Sequence, residues 1–155
     1  MKLKITIEYA SAFAFGGAVY GAVETLWRGH THPTMLFVGG FCFFVMYRIN
    51  LKMRPNAIRA AFIGGAVITS AELLSGCVLN LWLGLNVWDY SGLRFNLAGQ
   101  ICLLYSFFWM LLSVPAFALC GVLEKASAYV RELYSAEPSL TASASSDSEN
   151  SPSSL

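Results

Sequence analysis

The amino-acid sequence predicts an all-α membrane protein: a polytopic bundle of four transmembrane helices. Hydrophobic residues make up 56% of the 155 residues and charged residues only 12%, about half the charged share of an average soluble domain. The mean hydropathy is +0.57, and four long apolar stretches carry most of the chain. This composition excludes an ordinary cytosolic enzyme. The formal net charge of +1 provides no basic field for nucleic acid, so we expect no nucleic-acid partner.

The four apolar stretches each reach or approach the length of a membrane-crossing helix. They cover, with approximate ends, residues 7–27, 34–51, 57–83 and 97–123. About 20 helical residues are needed to cross roughly 30 Å of hydrocarbon. Only helices and closed barrels satisfy their backbone polar groups in lipid, and these stretches are too long for barrel strands and lack their alternation. We therefore predict four helical spans surrounded by the lipid bilayer.

The first stretch is predicted to be a retained span rather than a cleaved signal peptide. A loose cleavage pattern at residues 10–12 is preceded by only about five apolar residues, and Glu8 interrupts them. The long apolar run follows this pattern, whereas in a signal peptide it would come before it.

The distribution of Lys and Arg predicts the topology. Eight of these residues lie in the N-terminal segment, in the second connection and after the fourth stretch, whereas the first and third connections contain only Arg28 and Arg94. Short loops rich in Lys and Arg stay on the cytoplasmic side. We therefore expect a multi-pass protein of the bacterial cytoplasmic membrane with both termini in the cytoplasm.

Composition also divides the chain into two parts. Residues 1–125 are predicted to form the transmembrane domain. Residues 126–134 form a short amphipathic stretch, and nine serines follow between Ser135 and Ser154. A segment this poor in apolar residues cannot bury enough surface to fold. Residues 126–155 are therefore expected to end in a disordered cytoplasmic tail.

Two segments of the chain resemble each other. Residues 16–26 and 64–74 are identical at six of eleven positions, including two glycines and a glutamate. A weaker similarity, offset by 60 residues, relates Gly39 and Cys42 to Gly99 and Cys102. The pattern suggests two helical hairpins that repeat in parallel. Chance similarity between helices rich in Gly and Ala is the alternative.

Two glutamates, Glu24 and Glu72, lie inside the apolar stretches. A charged side chain at the centre of a transmembrane helix costs roughly 2.5–3.5 kcal/mol, so such residues face the bundle interior or water. Three roles remain open. The glutamates pair structurally with arginines, for which Arg28 and Arg48 are the candidates, or they bind a cation or amine, or they relay protons. Structural pairing is favoured.

The third connection concentrates hydrogen-bonding side chains over one end of the predicted bundle. An interfacial loop is the simpler interpretation, because Trp and Tyr suit the membrane interface. If the protein binds a ligand, this is where we expect it. The sequence predicts no catalytic residue, no cofactor and no metal site, since the His30 and His32 pair lacks a third ligand. The candidate ligand-binding residues are Glu24, Glu72, Asn80, Trp88, Asp89, Tyr90, Asn96 and Gln100.

Several of these motifs resemble a known family. ETLWRGHTH at residues 24–32, WDYS at 88–91, FN at 95–96 and GQIC at 99–102 are similar to the ABC-transporter type IV (CmpB-like) family of bacterial integral membrane proteins. The resemblance covers about residues 10–120 and leaves out the serine-rich tail. It implies a membrane component of a transporter but no particular substrate or catalytic residue.

The expected function is therefore transport-related, with an intramembrane polar site. The chain has no GxxxxGK[ST] phosphate loop, so ATP hydrolysis would need a separate nucleotide-binding subunit. Four helices are few for a complete carrier, which favours assembly with other chains or as a homo-oligomer. One alternative is a membrane assembly or interaction protein with structural polar residues. A small membrane enzyme using Asp89 or Glu72 is least favoured, because no nucleophile–base set accompanies them.

Overall fold

The computed structural model describes the backbone of residues 2–149 and the side chains of residues 6–133. Within these limits the chain is mainly helical. Two short antiparallel strands pair Asn96 with Cys102 and Leu97 with Ile101. In chain order, the elements are α1 (Lys2–Arg28), α2 (Pro33–Met53), α3 (Ala57–Gly76), a π-helix (Cys77–Trp82), β1 (Asn96–Leu97), β2 (Ile101–Cys102) and α4 (Leu103–Glu149).

Three helical segments are long and apolar enough to cross a membrane. They are Pro33–Met53, Ala57–Trp82, which includes the π-helix, and Leu103–Leu133. Helix α1 has the required length, with 27 residues, but it is not among these segments. Its sequence includes Glu8 and Glu24 as well as several Gly and Ala residues, which lower its hydropathy. The first predicted span is thus a helix, while its crossing of the membrane stays a prediction.

Local caps define the ends of α2 and α3. The His32 ring accepts a hydrogen bond from the Thr34 N–H at 3.4 Å, and Pro33 follows as the first helical residue. Asn56 caps α3 by accepting from the Arg59 N–H at 3.0 Å. Both residues fill the N-cap role, in which a side chain satisfies a backbone N–H that the helix leaves unpaired. His32 therefore serves the fold.

Glycines allow the helices to approach closely within each hairpin. A Cβ atom at Gly17 of α1 would lie 2.6 Å from the carbonyl oxygen of Leu36 in α2. On α3, a Cβ atom at Gly65 would lie 2.4 Å from Cγ of Met110 in α4. Small residues serve this purpose in membrane helices, because lipid supplies no hydrophobic force that drives helices together.

The fourth helix begins later than predicted. The sequence suggested a start near residue 97, but α4 begins at Leu103, after the two strands. Ala98 and Gly99 have φ values of 51° and 70°, and this left-handed conformation cannot continue a right-handed helix. Gly99 and Cys102 therefore lie in the β-turn region, whereas Gly39 and Cys42 lie within α2. The similarity offset by 60 residues does not relate equivalent positions.

The C-terminal part continues α4 to Glu149. Contacts divide the chain into two units, Met1–Gly121 and Val122–Leu155, and each is described by itself. Side chains 134–149 and all of residues 150–155 lie outside the described part. The boundary predicted after residue 125 and the disordered tail stay predictions. The candidate residues all lie in the first unit.

Candidate functional site

Asn80 organises the connection between the π-helix and α4. Its amide nitrogen donates to the carbonyl oxygen of Trp88 and to Oε1 of Gln100, both at 2.9 Å, and its amide oxygen accepts from the Val87 N–H at 2.7 Å. The indole of Trp88 donates to the carbonyl oxygen of Gln100 at 2.9 Å. Asn80, Trp88 and Gln100 are all buried. Their polar groups are therefore used to fold the connection.

Asp89 and Asn96 shape the turns of the same connection. Asp89 is exposed, and its carboxylate accepts from the N–H of Ser91 at 2.8 Å and from its hydroxyl at 2.9 Å. These bonds lower the pKa of Asp89 below its ordinary value. The amide of Asn96 donates to the carbonyl oxygen of Leu93 at 2.7 Å, and its oxygen accepts from the Gly99 N–H at 3.1 Å.

Glu72 joins three parts of the chain. It belongs to α3 and is only 4% exposed. Tyr90 in the connection donates to its Oε1 at 2.8 Å, and the indole of Trp109 in α4 donates to its Oε2 at 2.9 Å. Tyr90 is itself held by stacking on Tyr105, with ring centroids 4.7 Å apart. The carboxylate thus bridges α3, the connection and α4.

Glu24 has a different environment. It is 6% exposed, and Nη1 of Arg28 lies 2.8 Å from its Oε1. Its other oxygen accepts from the hydroxyl of Thr31, and Nη2 of Arg28 donates to the carbonyl oxygen of Val87 at 3.0 Å. Arg48, the other proposed charge partner, lies over the ring of Tyr9, 4.8 Å from its centroid. Glu24 is therefore paired with a cation, whereas the hydrogen-bond donors to Glu72 are neutral.

Two adjoining cavities lie beside these glutamates. The larger cavity has a volume of about 940 Å³ and the smaller about 250 Å³. Tyr20 of α1 and Trp109 of α4 contribute to both linings, and their ring centroids lie 6.2 Å apart. Glu72 lines the smaller cavity, whose other walls are mostly aliphatic and aromatic. The larger cavity is lined by Glu24, Arg28, Trp88, Asp89 and Tyr90, among others.

The structure thus divides the predicted site residues into groups. Glu24, Trp88, Asp89, Tyr90 and Arg28 line the larger cavity and Glu72 lines the smaller one. Asn80, Asn96 and Gln100 line neither cavity and support the connection. Among the described residues, no group of three or more His, Cys, Asp or Glu side chains is placed to hold a metal ion.

Two residues of the site were missed from the sequence. Tyr20 and Trp109 form the wall shared by the cavities, yet each looked like one more aromatic residue of an apolar helix. The indole N–H of Trp109 was a usable signal, because a buried indole N–H needs an acceptor. Glu72 was the nearest candidate acceptor in an adjacent predicted span. Tyr20 carried no comparable signal.

Comparison with known proteins supplies the family. A family model described as "Putative ABC-transporter type IV" matches residues 6–137. This match covers the helices, the connection and both cavities, and it extends beyond the resemblance noted from motifs. Neither the curated proteins nor the solved structures provide a match. Since the family model covers most of the chain, the protein belongs to the ABC-transporter type IV family.

Proposed function

We propose that this protein is the membrane component of a transporter and that its substrate binds in the two adjoining cavities. The observation that carries the proposal is the buried carboxylate of Glu72 on the wall of the smaller cavity. Ligand sites combine mostly apolar walls with a few positioned polar groups, and this cavity has that character. The chain has no phosphate-binding loop of its own, so a separate nucleotide-binding subunit would hydrolyse ATP.

The proposed placement is a bacterial cytoplasmic membrane, crossed four times, with both termini in the cytoplasm. Helix α1 would be the first span, because 27 helical residues extend about 40 Å. Large apolar side chains are exposed on all four helices, including Phe41, Phe62 and Leu111, as expected for surfaces that face lipid. Exposed tryptophans, Trp27 near the end of α1 and Trp82 at the end of the π-helix, suit one membrane interface.

The parallel repeat of two hairpins is part of the same proposal, and helix ends support it. Helices α1 and α3 end at residues 28 and 76, which differ by 48, the offset of the repeated segment. Helices α2 and α4 begin at residues 33 and 103, which differ by 70. Glycine contacts follow the same register: Gly16 faces Phe43 and Gly64 faces Ser113. The second hairpin would then contain a 22-residue insertion, which is the difference between the two offsets.

A second candidate function is a membrane assembly protein in which the polar groups only hold helices together. The closed hydrogen-bond network of Asn80, Trp88 and Gln100 favours it, because these side chains bond to one another and to the connection. This function predicts partners other than a nucleotide-binding subunit, or a homo-oligomer alone.

The experiment that separates the two functions is affinity purification of the tagged protein in mild detergent, followed by mass spectrometry. The transporter predicts reproducible recovery of a nucleotide-binding subunit and ATPase activity in the purified complex. Recovery of the protein alone, as a defined oligomer, would overturn the transporter and favour the assembly function.

The Glu72→Gln variant adds a second comparison. A transport site predicts that this variant still folds and still recovers the subunit but loses stimulation of ATPase activity by cell-derived small molecules. A structural role predicts that folded protein and activity fall in proportion. The Glu132→Gln variant is the matched control, because Glu132 is exposed and lines neither cavity.

A further inference from the structure

The carboxylate of Glu72 is buried without a positive partner. Its hydrogen-bond donors are the hydroxyl of Tyr90 at 2.8 Å and the indole N–H of Trp109 at 2.9 Å, and among side chains 6–133 no Lys or Arg forms an ion pair with it. Both oxygens accept, which is the bonding pattern of an ionised carboxylate. A charge taken out of water is costly unless an opposite charge joins it. The smaller cavity is where that charge could enter.

The walls of the smaller cavity disfavour an inorganic cation. Apart from Glu72 and Tyr20, the lining consists of glycines and of aliphatic, sulfur-containing and aromatic side chains such as Val19, Met35 and Leu119. A calcium ion takes about six to eight oxygen ligands and magnesium about six. Such an ion would have to lose its water without finding replacement oxygens. An alkyl-substituted ammonium group does not have this requirement, because its outer surface is made of C–H groups.

The same walls offer aromatic faces to a cation. Tyr20, Phe43 and Trp109 all line the smaller cavity, and the rings of Tyr20 and Trp109 are tilted by 36° with centroids 6.2 Å apart. A cation is attracted to the face of Trp or Tyr when it lies within about 6 Å of the ring centre, and sites for quaternary ammonium ions combine several such faces. The volume of about 250 Å³ suits a compact cationic group.

We infer that the smaller cavity binds an organic cation, an alkyl- or quaternary ammonium group, with the Glu72 carboxylate as its counter-charge and Tyr20 and Trp109 as aromatic walls. Because these two residues also line the larger cavity of about 940 Å³, an apolar substituent of the same molecule has room there. The inference rests on the proposed function and names the substrate class of its site.

The test measures equilibrium binding to the purified full chain in nanodiscs of phosphatidylcholine, a lipid without net charge. The probe is benzyltrimethylammonium, the anionic comparison is benzenesulfonate, and calorimetric titration of empty nanodiscs gives the blank. Saturable binding of the cation alone is expected. Glu72→Gln should weaken it roughly thirty-fold, since removing one partner of a buried charge pair has effects of at least this size. Glu132→Gln should bind like the unaltered protein.

A pair of variants at Tyr20 keeps the test decisive if Glu72→Gln does not fold. Tyr20→Phe retains an aromatic face and should bind benzyltrimethylammonium nearly as well as the unaltered protein. Tyr20→Leu removes the face and should weaken binding about five-fold. Thermal unfolding of each variant identifies those that fold.

Three results would overturn the inference. They are equal binding of benzenesulfonate, cation binding no stronger than to empty nanodiscs, and cation binding that a folded Glu72→Gln variant or both Tyr20 variants leave unchanged. None of them depends on ATP or on a partner subunit. A protein that recovers a nucleotide-binding subunit but does not bind the cation keeps the proposed function and loses only the substrate class.

Discussion

At the scale of single residues, the two glutamates singled out by the sequence have different charge environments. Glu24 is ion-paired with Arg28 four residues later, a spacing that places both side chains on one helix face. Glu72 receives hydrogen bonds from Tyr90 and Trp109, which are 18 and 37 residues away. The first pair could be predicted from spacing alone. The second set depends on how α3, the connection and α4 pack, which no local pattern specifies.

The Tyr90→Phe variant tests the hydrogen bond to Glu72 at 2.8 Å. It keeps the stacked ring and removes one donor to a buried carboxylate. We expect the free energy of unfolding to fall by about 1–2 kcal/mol, measured by thermal unfolding in detergent at neutral pH. Tyr129→Phe is the matched control, because Tyr129 is exposed. A Tyr90→Phe variant as stable as the control would contradict the role given to this bond.

The same variant predicts a pH dependence. Burial, together with the negative charge of Glu72, raises the pKa of Tyr90 above its ordinary value of 10.0. A raised pKa in the folded state means that the stabilisation is complete below about pH 10 and is lost as the pH rises toward the raised value. The stability difference between the unaltered protein and Tyr90→Phe should therefore narrow above pH 10. A difference that stays constant from pH 8 to about pH 11 would refute this assignment.

At the scale of elements, apolar length predicted the helices better than their ends. The predicted second and third spans, 34–51 and 57–83, agree closely with the candidate spans Pro33–Met53 and Ala57–Trp82. The late start of α4 was missed because Ala98, which is not a glycine, adopts a left-handed conformation with φ of 51°. The π-helix was also missed, since its sequence is as apolar as the helix before it. Both features depend on the folding of the connection.

The contact between α1 and α2 gives a prediction at this scale. Gly17→Ala should destabilise the protein by about 1–3 kcal/mol, because the new Cβ would lie 2.6 Å from a backbone oxygen, which cannot move aside as a side chain does. Gly121→Ala is the control, since a Cβ there meets nothing within 4 Å. It should be neutral or stabilising by up to about 1 kcal/mol. Thermal unfolding of both variants checks the pair, and equal stabilities would contradict the close approach of α1 and α2.

At the scale of the whole molecule, composition predicted a membrane protein and its motifs predicted the family, which the family model confirms over residues 6–137. The crossing of the membrane by α1 is the remaining expectation, because only three helical segments in the described part of the chain meet the criterion for a span. Hydropathy alone is a weak guide for α1, since glutamates that pair inside the bundle lower the average without facing lipid.

Cysteine accessibility in intact cells decides the topology. We expect a membrane-impermeant maleimide to label His30→Cys and Asn86→Cys from outside and to label Ile7→Cys and Lys52→Cys only after the cells are permeabilised. All four positions are exposed in the folded chain. The pair at residues 7 and 30 reports on α1 directly, because these positions flank it. Labelling of both positions from the same side would rule out α1 as a span.

The hydrogen bond from Tyr90 to Glu72 also links the occupancy of the smaller cavity to the surface of the protein. Tyr90 belongs to the connection, and the atom that it holds is one that a bound cation would attract. A ligand that weakens this bond loosens the connection, and one that strengthens it fixes the connection more firmly. By thermodynamic reciprocity, a partner protein that fixes the connection must change the affinity of the buried site by the same factor. One hydrogen bond would thereby provide allosteric coupling between a cavity among the helices and an assembly partner at the membrane surface.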